Sequence, residues 1–68
     1  MPMVRIECFP GRSAEQKRRT AGAVTAAVVQ HLICAPDHVQ VVFVEVAKDD
    51  WAVGGRLASD PPPGGTPR

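Results

Sequence analysis

The period of the hydropathy pattern changes twice along this chain, and that succession limits the possible folds more than any single residue does. From Met3 to Phe9 the residues alternate. Val4, Ile6 and Cys8 fall on one side and Met3, Arg5, Glu7 and Phe9 on the other, the signature of a strand with one apolar face. Pro10-Gly11 breaks the alternation. Ser13 then opens a helix, and Gln16 stands where it completes a capping box. Ala21, Val24, Val28 and Leu32 recur at helical spacing as a narrow apolar stripe, leaving Lys17, Arg18 and Gln30 to solvent. Abundant alanine favours the helix, and Ala35-Pro36 ends it, because the residue before a proline resists the helical conformation. Residues 39–46 read as a second strand, apolar on both sides: Val39, Val41 and Phe43 on one, Val42, Val44 and Val46 on the other.

Strand, helix, strand in that order implies parallel strands joined by a right-handed crossover. One helix covers one face of such a two-stranded sheet. The other face and both edges stay open, and a valine-rich edge invites pairing with another chain. A chain of 68 residues buries only ~60% of its unfolded surface and needs a further source of stability. That source is a disulfide, a metal or oligomerisation. Cys8 and Cys34 can form one bridge at most, and His31, Cys34 and His38 straddle a helix end with no fourth ligand at a recognisable spacing. The expected fold is therefore α/β, a single β-α-β unit with parallel strands, completed by oligomerisation. Its domain spans residues 2–59. Residues 47–59 read as a loop with a tight turn at Gly54-Gly55, and the proline- and glycine-rich tail 60–68 is expected to be disordered.

A formal charge of +1 without aromatic residues among the basic ones argues against a nucleic-acid partner. The run Lys17-Arg18-Arg19 reads as a solvated helix face. No segment approaches the ~20 apolar residues of a membrane span, and the start of the chain has no signal-peptide pattern. The expected compartment is the cytoplasm, where both cysteines stay reduced.

Pro2 is the residue with chemistry to explain. Initiator methionine is usually removed ahead of a small residue, which leaves Pro2 as a free secondary amine at the head of a strand. Apolar surroundings and nearby cations lower the pKa of such an amine, and a base poised near the working pH transfers protons best. Arg12 and Trp51 are the candidates for these effects. By itself, a proline after the initiator is commonplace. Cys8, on the apolar face of a strand, reads as a buried, inert thiol, and Asp49 and Asp50 read as solvated loop residues.

Taken together, the segments Pro2-Met3-Val4-Arg5-Ile6, Gly11-Arg12-Ser13-Ala14-Glu15-Gln16-Lys17, Ala35-Pro36, Glu45-Val46-Ala47-Lys48 and Trp51-Ala52-Val53-Gly54-Gly55 resemble the 4-oxalocrotonate tautomerase family. The resemblance covers residues 2–59 in order and spacing, with a slip of about one residue near Cys34. It implies a compact β-α-β chain that assembles as a homohexamer, or as a heterohexamer of two related chains. It implies no metal and no organic cofactor. The activity it implies is keto–enol isomerisation of a small 2-oxo or 2-hydroxy-unsaturated carboxylic acid, with Pro2 as general base. Arg12 matches the arginine that grips a substrate carboxylate, a task suited to a guanidinium that can donate two parallel hydrogen bonds. Trp51 matches the aromatic residue that keeps the pocket apolar.

One position departs from the pattern. Where the family has a second arginine, which polarises the substrate carbonyl and comes from a neighbouring subunit, this chain has Gln40. Glutamine can donate to a developing enolate oxygen, but without charge. Charged hydrogen bonds contribute ~1.5–3 kcal/mol against ~1 for neutral ones, and a deficit of ~2 kcal/mol slows turnover about thirtyfold. Arg56, after the Gly-Gly turn, is the candidate replacement cation. Two other readings follow from the same resemblance: a non-catalytic or partner-dependent subunit of a heterohexamer, and a dehalogenase- or hydratase-like variant in which Asp50 activates water while the proline acts as an acid.

Overall fold

The computed structural model describes residues 2–62. Strand β1 (Met3–Cys8) leads into helix α1 (Ala14–Leu32). A 3-10 turn at Pro36–His38 follows, then strand β2 (Gln40–Glu45) and a second 3-10 turn at Lys48–Asp50. The short strands β3 (Ala52–Val53) and β4 (Arg56–Leu57) come last. β1 and β2 pair in parallel, with Met3 opposite Gln40, Ile6 opposite Phe43 and Cys8 opposite Glu45. This is the expected β-α-β unit. Phe9, Val39 and Val46 fall just outside the strands assigned to them from the sequence, the usual uncertainty of element ends.

The helix begins as the capping box requires. Ser13 is extended, its Oγ accepts from the Gln16 N–H at 3.1 Å, and Gln16 Oε1 accepts from the Ser13 N–H at 2.8 Å. It ends on Ile33, whose φ of 56° and ψ of 74° lie in the left-handed region and whose N–H donates to the Val29 carbonyl. A β-branched residue is rare there.

Half-buried positions on α1 are Lys17, Ala21, Val24, Thr25, Val28 and Val29, which corrects the predicted stripe at both ends. Lys17 does not point to solvent; its Nζ donates to Glu45 Oε2 at 2.8 Å. The register explains this, because Glu45 opposes Cys8 and so lies on the helix side of β2. Leu32 is 65% exposed. A 19-residue helix is ~28 Å long, whereas six-residue strands reach ~20 Å, so the last turn overhangs the sheet.

Val4, Ile6, Cys8, Val41 and Phe43 face the helix. The opposite face carries Met3, Arg5, Glu7, Gln40, Val42 and Val44, with Met3 62% exposed. Among the described residues no side chain is fully buried.

The segment 47–59 is more ordered than the expected loop. β3 and β4 form an antiparallel hairpin whose turn is Gly54-Gly55, with φ of 61° and 81°, the paired positive angles of a type I′ turn. Asp60 closes it: its N–H donates to the Leu57 carbonyl, and its Oδ2 accepts from the Leu57 N–H, both at 3.0 Å. Of the tail expected to be disordered, residues 63–68 lie outside the described residues. Among the described residues, no helix is long and apolar enough to cross a membrane.

Candidate functional site

The residues singled out from the sequence gather at two opposite ends of the sheet. At one end, Pro2 precedes β1 and is half-buried. Its carbonyl accepts the Gln40 N–H at 3.0 Å, which fixes the proline at the head of the ladder and sets Gln40 beside it. The Gln40 side chain is exposed on the face away from the helix.

At the other end, the chain leaves β1 through Phe9, whose ring meets Trp51 edge-on, centroids 5.0 Å apart and planes at 65°. Such aromatic pairs contribute ~0.5–1.5 kcal/mol beyond the area they bury. Lys48 Nζ stands 5.6 Å from the centre of the Phe9 ring. These side chains, with Arg56, Asp60 and Pro61, line a cavity of about 420 Å³, within the range of small-molecule sites. Arg56 Nη2 donates to the Pro61 carbonyl, fastening the segment after the hairpin across one wall. A second cavity, about 190 Å³, lies between helix and sheet, where Arg12, Gln16, Lys17 and Thr20 face Ile6, Cys8 and Phe43.

Pro2 and Gln40 line neither cavity. Phe9 lies seven residues beyond Pro2 along an extended strand, which places it, and Trp51 against it, about 20 Å away. Within one chain, then, the expectation that Trp51 makes an apolar surround for Pro2 is not met. Arg56 is equally far from compensating for Gln40. The extended backbone of β1 separates the two groups, and only another chain can bring a Trp51 to this Pro2.

Asp50 belongs to the exposed 3-10 turn and lines neither cavity. Among the described residues, no three His, Cys, Asp or Glu side chains are grouped to hold a metal, and Cys8 and Cys34 are free thiols. Sequence reasoning missed Phe9 and Lys48. Phe9 continued the alternation of β1 and was assigned to the open face. Pro10-Gly11 directly after it was the available signal that the strand stops first.

A family model described as tautomerase enzyme matches residues 2–60. A probable tautomerase of Ralstonia nicotianae is 37% identical over 67 residues, covering 98% of this chain and 100% of that protein. A chain from the 4-oxalocrotonate tautomerase isozymes of Methylibium petroleiphilum superposes with a TM-score of 0.82 at 34% identity, over 85% of this chain and 91% of its own. A chain of a heterohexamer 4-oxalocrotonate tautomerase from Chloroflexus aurantiacus does so with a TM-score of 0.82 at 33% identity, over 88% and 97%.

Proposed function

The chain belongs to the tautomerase family, and from that premise we propose that it is a cofactor-independent isomerase of small 2-oxo or 2-hydroxy-unsaturated carboxylic acids, with Pro2 as general base. The observation that carries this reading is the hydrogen bond from the Gln40 N–H to the Pro2 carbonyl at 3.0 Å. It ties the Pro2 carbonyl to β2 at the head of β1, which supports reading the nitrogen, once Met1 is removed, as a positioned amine.

In the neutral amine, the nitrogen lone pair takes the enol hydroxyl proton as the substrate oxygen becomes a carbonyl. The resulting ammonium returns a proton to carbon. The side-chain amide of Gln40 donates to the oxygen while it carries negative charge. Arg12 binds the substrate carboxylate. Trp51 excludes water and disfavours the charged form of the amine.

Because Trp51 stands about 20 Å from Pro2 in one chain, and Arg12, beyond Phe9, lines a cavity that Pro2 does not, this reading requires an assembly in which one chain supplies the base and neighbours supply the wall and the carboxylate-binding arginine. A hexamer fulfils that requirement, and the expected compartment is the cytoplasm.

The test is ketonisation of 2-hydroxymuconate and phenylenolpyruvate followed by ultraviolet absorbance, on protein whose N-terminal proline is verified by mass. Wild type is active, and Pro2→Ala loses nearly all turnover. Undiminished activity in Pro2→Ala would overturn the reading. A second reading, a partner-dependent subunit, is favoured by Gln40 and by the heterohexamer among the similar structures. It predicts that the purified chain is inactive until a related chain is added. A homo-oligomer active on its own removes it.

A further inference from the structure

The basic residues divide by what they touch. Among the described residues, Arg5 pairs with Glu7, Lys17 with Glu45, and Arg18 and Arg19 both with Glu15. Arg12, Lys48 and Arg56 pair with no carboxylate among the described residues, and each of these three lines one of the two cavities. Lys17, at the smaller cavity, is neutralised by Glu45 across the helix–sheet seam, whereas the two cations of the larger cavity, Lys48 and Arg56, meet no carboxylate among the described residues. Arg56 is partly committed, since it donates to the Pro61 carbonyl. The one carboxylate of the larger cavity, Asp60, is occupied by the Leu57 N–H. Among the described residues, Lys48 has the Phe9 ring beneath it, at 5.6 Å, and no carboxylate, a contact through charge and ring face that leaves its N–H donors available to an anion.

We propose that Lys48 is a specificity-determining residue: its ammonium binds the anionic group of the substrate that lies farthest from the reacting enol, and so selects planar unsaturated acids carrying a second negative charge. The proposal rests on the reading that Trp51 of one chain walls Pro2 of another. Lys48 and Trp51 line the same cavity and both contact Phe9, so any assembly that carries Trp51 to a neighbour's Pro2 carries Lys48 with it. The positive charge that Gln40 lacks is thereby supplied from a different element. The flat faces of Phe9 and Trp51 suit a conjugated skeleton, and the cavity's volume of about 420 Å³ suits a small one.

Trp51 is the only tryptophan, so its fluorescence reports occupancy of this cavity. The experiment titrates the whole protein, N-terminal proline confirmed, with trans,trans-muconate and with sorbate, which share one conjugated skeleton and differ by a carboxylate. Wild type, Lys48→Met and Lys48→Arg are compared. Wild type prefers muconate. Lys48→Met, which keeps the alkyl stem, weakens muconate binding by about tenfold or more, shifts sorbate by less than about twofold, and Lys48→Arg restores most of the preference. An unchanged ratio of muconate to sorbate affinity in Lys48→Met, or no preference in wild type, overturns the proposal. Neither ligand has an enol, so the readout is independent of proton transfer. A failure of the Pro2→Ala test would therefore strike the tautomerase reading and leave this binding ratio to be judged separately.

Discussion

In the proposed reaction Gln40 is the residue that stands where the substrate oxygen needs a donor. Its backbone N–H is engaged with the Pro2 carbonyl at 3.0 Å, so substitution of the side chain leaves the ladder intact and changes only the group that the proposed mechanism sets at the substrate oxygen. A neutral donor there contributes up to ~2 kcal/mol less to an oxyanion than a charged one. Gln40→Arg is accordingly expected to raise kcat on an enol diacid by up to about thirtyfold, with Tm nearly unchanged. Steady-state kinetics beside a thermal melt check this, and an equal or lower kcat refutes it. At this scale the sequence was informative about chemistry and not about proximity. Pro2 stood out from its place behind the initiator, and Arg12, Gln40, Trp51 and Arg56 drew their expected roles from the family resemblance, but that Trp51 stands at the far end of β1 depends on three-dimensional placement. Lys48 escaped notice because a loop lysine looks the same in sequence whether it meets a carboxylate or an aromatic ring.

Elements were legible where local chemistry dictates them. Ser13 with Gln16 specifies a helix start from side-chain–backbone hydrogen bonds alone, and two consecutive glycines specify a turn with positive φ at both residues. The stripe on α1 was less legible, since burial depends on how far the sheet extends beneath the helix. Leu32 has helical spacing but no strand below it, and Lys17 has a strand residue, Glu45, that rewards pointing inward. Ile33 shows the same mismatch at the helix end. Its left-handed backbone costs ~1–2 kcal/mol for a residue with a Cβ, and its side chain is 86% exposed, so it recovers little by burial within the chain. Ile33→Gly removes the clash, though the unfolded glycine has more freedom to lose. The expected net gain is about 1 kcal/mol, or a Tm rise of about 4–8 °C for a domain of this size, measured at one fixed protein concentration. No rise would show that Ile33 is buried against another chain.

The molecule as a whole is a half-built object. Helix α1 covers one face of β1 and β2, the other face presents Met3, Val42 and Val44 between Arg5, Glu7 and Gln40, and no described side chain is fully buried. Association with further copies, by sheet extension and by stacking of open faces, is the expected remedy. Stability should then rise with protein concentration. Val42→Lys, which places a charge on the open face, is expected to lower the sedimentation coefficient and the helical circular dichroism together. A variant that stays fully assembled would argue that this face is not an interface.

The distance of about 20 Å between Pro2 and Trp51 has a genetic consequence. If each complete site takes its base from one chain and its wall from another, an allele encoding Pro2→Ala and an allele encoding Trp51→Ala are each null alone, yet complement each other in one cell. Random mixing in equal amounts returns about a quarter of the sites to full composition. A site lying within single chains returns none.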